Sequence, residues 1–296
     1  MSKHAWSKAP KLALWSGEGE GNGRTYVNPV DDSRHPSVTT ILKNTPKADL
    51  MGWSAFKVAE VAIERYADLG GDPEQVMKWL PYAHTDYRNE RGWVGSGVHA
   101  TIQAEHEQSW DFYELDAEQL AMMDKWYEFC RVYQAEILYS ECTVLGDGFM
   151  GTLDAFIRYI DPFTGEVRIA LVDFKTSKSI WDDHHMQLAA LANAECVFRE
   201  VPKGTEGAYR RKGKVIAEDS YWVQEPVPYF DEVKILHLRE DKYDFIDVDH
   251  VDLFYKEFIV YRDLFAVIQE IKDARKGGQS DRKGCSRGFN LEHPGF

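Results

Sequence analysis

The chain has 296 residues, 44% of them hydrophobic and 28% charged, which suits one large globular domain or two small ones with a sizeable core. Its net charge of −14 excludes a general polyanion coat-binder, although a local basic groove can sit on an acidic body. No apolar run approaches the roughly 18 residues of a membrane span, no apolar signal core opens the chain, and Cys130, Cys142, Cys196 and Cys285 form no CxxC pair. The expectation is a cytoplasmic protein with no membrane partner and with buried free thiols.

In chain order, residues 1–37 are rich in Gly, Ser and Pro and read as an N-terminal arm, or an early hairpin with little core. Residues 38–135 read as helical. In "LMGWSAFKVAEVAIERYADLG", Trp53, Phe56, Val61 and Ile63 line a buried side, and Gly70-Gly71 stops the helix. A second helix, over 73–80, ends at Pro81. A third begins after Gly95-Ser96-Gly97 with Ser96 as its N-cap, and "DAEQLAMMDKWYEFCRVYQAE" is a further amphipathic helix.

The period then changes from helix to strand. Residues 137–147, 149–160 and 167–176 read as three successive antiparallel strands. "DDHHMQLAALANAECVFRE" reads as a helix with Asp182 and Asp183 at its favourable N-terminal end. A basic insert, "PKGTEGAYRRKGK", is followed by a hairpin made of "DEVKILHLRE" and "KYDFIDVD". A long helix starts near Val251, and residues 276–296 form a basic tail. This order implies an α/β core over 136–275 with an N-terminal helical cap over 38–135.

The hairpin of the second and third strands carries acids where a strand needs none. Alternation puts Ile169, Leu171, Asp173 and Lys175 on one face and Ala170, Val172 and Phe174 on the other. Asp154 shares a face with Thr152 and Phe156 on the same reasoning. The turn Asp161–Glu166 suits a type I turn with Pro162 at its second position, and a symmetric loop sets Asp154 opposite Asp173. Opposed side chains have Cβ atoms about 5 Å apart, where like charges are destabilising. A divalent cation between the acids offsets that repulsion, and their oxygens suit Mg²⁺ or Mn²⁺.

Other residues agree with a metal site. His99 falls in the first turn of its helix and can supply a third ligand; His106 lies on roughly the same face. Gln187 is the polar residue in "MQLAALANA", on the helix entered directly from the strand of Lys175. An Asp-x-Lys alone says little, since exposed acids on a solvated strand would explain it. Opposed acids, a lysine two residues on and apolar neighbours on both faces do not fit that simpler account. The run "DDHH" imitates a ligand set, but adjacent helical residues point about 100° apart, so it reads as helix-start electrostatics.

His99, "GTLD" with Asp154, "VDFKTS" with Asp173-Phe174-Lys175 and "MQLAAL" with Gln187 resemble the ordered motifs of the PD-(D/E)XK nuclease superfamily, RecB-like branch. "PSVTTIL" and "GSGVH" are also similar to phage exonucleases and the mitochondrial genome maintenance exonuclease group. The resemblance covers residues 36–195. It implies a restriction-endonuclease-like core, a mixed sheet flanked by helices, and metal-assisted hydrolysis of DNA phosphodiester bonds. His99, Asp154, Asp173 and the carbonyl of Phe174 would hold one or two Mg²⁺ or Mn²⁺ ions, with Glu141 as an additional acid. Lys175 would orient water or stabilise developing charge, and Gln187 would position Lys175 or a phosphate.

The implied activity is an exonuclease on single-stranded DNA ends, in recombination, repair or replication of a phage or bacterium, with a recombination or replication protein as a further partner. A structure-specific or restriction-like endonuclease with the same site, or an inactive DNA-binding module, stays open. DNA contacts would come from Arg210, Arg211, Lys212 and Lys214, from the C-terminal Arg275, Lys276, Arg282, Lys283 and Arg287, and from Trp53, Trp93, Tyr82 and Tyr87 as stacking surfaces. Two features depart from the family. Cys285 stands without a C-terminal cysteine group, so no iron–sulfur cluster is expected, and "QLAALANA" lacks the tyrosine that often follows the glutamine.

Overall fold

The computed structural model describes residues 14–15, 23–46, 48–70, 72–109, 114–202 and 220–283. Strands β1 (Leu14–Trp15), β2 (Arg24–Val27) and β3 (Arg34–Pro36) form a small antiparallel sheet in that order. Helix α1 (Val38–Ile41) follows at once, its N-terminus closed by Ser37, whose Oγ accepts from Thr40 N at 3.0 Å. The next helices are α2 (Ala48–Glu64), α3 (Pro73–Trp79), α4 (Ala83–Glu107) and α5 (Ala117–Tyr133). Asp116 and Gln119 form a reciprocal capping box at the start of α5.

The second half is a seven-stranded mixed sheet. It comprises β4 (Glu136–Gly146), β5 (Phe149–Ile160), β6 (Val167–Lys175), β7 (Cys196–Pro202), β8 (Ser220–Pro226), β9 (Glu232–Leu238) and β10 (Tyr243–Asp247), in the order β10-β9-β6-β5-β4-β7-β8. Only the β6–β9 pair is parallel. Helix α6 (Asp182–Ala192) joins β6 to β7, and α7 (Val251–Lys283) closes the chain. Alternation on β6 sends Ala170, Val172 and Phe174 toward Val98, Met122 and Trp126 of α4 and α5, and Leu171 toward Leu188, Leu191 and Phe258 of α6 and α7. The result is three layers, helix–sheet–helix. No described helix is long and apolar enough to cross a membrane.

The β5–β6 register is the expected one: Ala155 pairs with Val172 and Ile160 with Val167, which brings Asp154 level with Asp173. The faces of β5 differ from expectation. Leu153 packs on the α6 side and Ala155 on the α4 side, although strict alternation would put both on one face. Glu141 on β4 breaks phase at the same level, with a φ of 50°, a left-handed conformation uncommon for such a side chain. Cys142 pairs with Leu153 and Ser140 with Ala155, so Glu141 and Asp154 fall level with each other at this kink, whereas the register shift of the β4–β5 pair lies earlier, between Ile137 and Tyr139. Phe156 therefore lies in the core with Leu153, while Asp154 and Thr152 line a cleft.

Several element boundaries also differ. Helix α4 does not begin at Gly95-Ser96-Gly97 but runs through it, and Ser96 Oγ donates back to Gly92 O at 2.8 Å rather than capping. The glycines mark close approaches instead: a Cβ on Gly95 would lie 2.8 Å from Thr176 Oγ1, and one on Gly97 2.2 Å from Gln119 Nε2. Helix α6 stops at Ala192, and "CVFREVP" is strand β7 rather than helix. On α2, Phe56 and Ile63 are 63% and 77% exposed instead of buried. Helix α7 continues to Lys283, past the expected start of the tail.

Candidate metal centre

The carboxylate pair sits where three elements meet. Strand β5 delivers Asp154, β4 delivers Glu141 from its positive-φ position, and α4 delivers His99. One ligand atom each from His99, Glu141 and Asp154 falls within 4.8 Å of the others, a group that could hold a metal ion. His99 Nδ1 lies 3.6 Å from Asp154 Oδ2, and His99 Nε2–H donates to Phe174 O at 3.0 Å. Phe174 N–H donates to Asp154 Oδ2 at 2.7 Å. His99 is several turns into α4, not in its first turn, and it is His99 rather than His106 that lines the cleft.

Asp173 does something else. It is 2% exposed, and the Lys175 ammonium lies against its Oδ2. Lys175 Nζ also donates to Gln187 Oε1 at 3.4 Å, so α6 and β6 together fix the lysine. The four residues expected to act with the metal thus split: Asp154 joins the ligand group, while Asp173, Lys175 and Gln187 form an adjoining chain.

Burial controls the charges here. It pushes Glu141 up to about 8, with Asp154 and Glu107 adding to the rise. It also raises Asp173, against the pull of Lys175. Burial disfavours the Lys175 ammonium too, but Asp173 and Asp154 outweigh it and hold its pKa above the usual lysine value. His184, on the first turn of α6, is pushed down to about 4 by burial and then by Lys175, so its ring is neutral near pH 7.

The group opens into a cleft of about 680 Å³. One wall is α4, with Arg91, Ser96, His99 and Gln103; the other is β2 and the start of α1, with Arg24, Tyr26, Ser37 and Thr39. The supposed arm is thus part of the site: Tyr26 is 2% exposed and its hydroxyl lies 3.0 Å from Thr152 Oγ1. Gly151 of "GTLD" lets α1 and α6 close over β5, since a Cβ there would lie 2.5 Å from Leu191 Cδ2 and 3.3 Å from Val38 Cγ2.

Sequence reasoning missed Arg24, Arg91 and His184 as lining residues. Arg91 lies two helical turns before His99 on the same face, a signal visible only once α4 is read as continuous. Trp53 packs against His84 and Tyr87 at centroid distances of 6.4 and 6.1 Å, outside the cleft lining. Trp93 and Tyr82 are more than half exposed, and Lys57 and Lys178 sit over the Tyr87 ring. Arg210, Arg211, Lys212, Lys214, Cys285 and Arg287 lie outside the described residues. No family model matches the chain, and no curated protein matches it.

Proposed function

We propose that this chain is a metal-dependent deoxyribonuclease, an exonuclease that hydrolyses phosphodiester bonds at single-stranded DNA ends. The observation that carries the reading is a three-ligand group, His99, Glu141 and Asp154, set beside the Asp173–Lys175–Gln187 chain at the floor of an open cleft. The donors suit a hard divalent ion: two carboxylates and one imidazole. Burial, with Asp154 and Glu107 adding, raises the Glu141 pKa to about 8, a penalty on the carboxylate that a bound cation would offset. When bound, Mg²⁺ or Mn²⁺ would polarise a phosphoryl oxygen and lower the pKa of a bound water.

The remaining work falls to the chain's own side chains. Lys175, held by Asp173 and Gln187, offers N–H donors to an attacking water or to charge gathering on the phosphoryl oxygens. Arg91 and Arg24 face the cleft from opposite walls and suit backbone phosphates on either side of the scissile bond. Phe174 N–H fixes Asp154, so β6 orients a ligand on β5. The lining carries few cations and is mixed in sign, which favours one strand over a duplex needing a broad basic face.

The test is cleavage of end-labelled linear and covalently closed circular single-stranded DNA, with Mg²⁺, with Mn²⁺ and with EDTA. Progressive, metal-dependent loss of the linear substrate only is the expected result, abolished in Asp154→Asn. Discrete internal cuts in circles would replace the exonuclease by the endonuclease reading. Inert DNA under all conditions would remove the nuclease reading itself.

A further inference from the structure

Helix α7 has two apolar sides, and the fold uses one. Val251, Phe254, Tyr255, Phe258, Ile259, Tyr261 and Phe265 pack against the core under α6. On the outer side Leu253, Val260, Leu264, Val267 and Ile271 are 54%, 64%, 44%, 50% and 46% exposed. Scattered apolar residues on a surface are ordinary. These fall on one line, at steps of seven, four, three and four residues, which is the spacing of a coiled-coil seam. Glu257 fills the position that the first long step leaves between Leu253 and Val260. Among the described residues, none after Phe265 joins a core cluster, yet the helix runs on to Lys283.

We propose that this outer face of α7 is the interface of a homodimer in which two copies of the helix pack antiparallel. The charges choose both the occupant and the direction. In a parallel pair each Glu257 would meet its own mate inside the seam, like charge against like. In the antiparallel pair Leu264 lies across from Val260, Ile271 from Leu253, and Glu257 from Val267 of the second copy. Lys256 on the flank, 3.8 Å from Asp252 of its own helix, then also approaches Glu270 of the other helix, twice by symmetry. Asp263, near the twofold axis, approaches its own mate, but each copy is already held by its own Arg262, whose Nε and Nη2 donate at 2.9 and 2.7 Å.

The seam spans 19 residues, Leu253 to Ile271, or about 27 Å of helix. Only about one residue in three of that stretch faces the second copy, well short of the roughly 20–30 residues a side of standard interfaces, so the dimer should dissociate in the micromolar range. None of the seam residues lines the cleft, so pairing leaves both clefts open.

Sedimentation equilibrium of the full chain from about 1 to 300 μM tests this directly. The expected result is a reversible monomer–dimer equilibrium that Leu264→Glu shifts at least tenfold toward monomer, with an unchanged circular dichroism spectrum, since the side chain is already half exposed. Lys256→Glu should weaken the dimer and Lys256→Glu with Glu270→Lys should restore it. A monomer at every concentration, or a dimer indifferent to Leu264→Glu, overturns the interface. Failure of the double exchange to restore pairing overturns the antiparallel geometry. These outcomes are independent of DNA cleavage.

Discussion

Replacing Glu141 by Gln should move stability and metal response in opposite directions. The carboxyl has a folded pKa of about 8 against an ordinary 4.5, burial being the main cause. For an acid this means a penalty absent below the ordinary value, growing as pH rises through the interval and complete above the folded value. In EDTA at pH 8 the amide should therefore raise the melting temperature by about 2–4 °C or more, with no gain at pH 4.5. The rise on adding Mn²⁺, a mass-action effect, should shrink in the variant. A wild-type response to Mn²⁺ in Glu141→Gln would remove Glu141 from the ligand group. Lys175→Ala reads out the neighbouring chain. It strands the buried Asp173 carboxylate, a loss of about 3–5 kcal/mol by urea melts, and single-turnover cleavage should drop by about 10²–10⁴. Adding Asp173→Asn should recover stability and leave cleavage low. Recovery of both would mean that the lysine only neutralises its neighbour.

At the scale of elements, the glycine of "GTLD" is a packing device. Gly151→Ala forces Leu191, 1% exposed, out of its place on β5. The expected cost is about 1–3 kcal/mol, read by thermal melts, with slower cleavage because α6 carries Gln187, the partner of Lys175. A neutral substitution would mean that α6 can shift freely on the sheet. The strands and their register were legible because alternation and the Asp161-Pro162…Gly165 turn act locally: two short-range rules place Asp154 level with Asp173. The start of α4 was not. Gly95 and Gly97 look like helix breakers in sequence, but their use here is contact with Thr176 and Gln119, residues far along the chain. Strand β7 follows α6 across only a few residues with no Gly or Pro, so helical pattern was carried on into "CVFREVP". Glu141 at positive φ has no sequence signature, since nothing local marks a glutamate for the left-handed conformation. The site was therefore legible where it rests on strand alternation and obscure where it rests on a positive-φ residue and on helix contact.

For the whole molecule, a net charge of −14 and a cleft with few cations would limit how the proposed single-stranded substrate is held. Single-stranded binding should depend on salt with a log–log slope of about −1.5 to −2, at roughly −0.7 per phosphate for two or three contacts. Arg91→Gln should flatten that slope by about one contact. A much steeper slope, unchanged in Arg91→Gln, would move the contacts to the basic insert around Arg210–Lys214. Helix α4 is 25 residues long, about 37 Å, and His99 lies roughly 24 Å along it from its first residue. Trp53 of α2 bears on its first turns, and His99 rides on its later ones. In mechanical terms it is a beam resting on the cap at one end and on Phe174 at the other, notched at midspan by Gly92, Gly95 and Gly97. A load on α2 therefore displaces a ligand without touching it, and the notch sets how much is transmitted. Only Gly92 has open space for a methyl group, so Gly92→Ala is the substitution that stiffens the beam. It should add about 0.5–1 kcal/mol of stability and make metal affinity less sensitive to substitutions on α2. Unchanged sensitivity would mean that cap and site are mechanically independent.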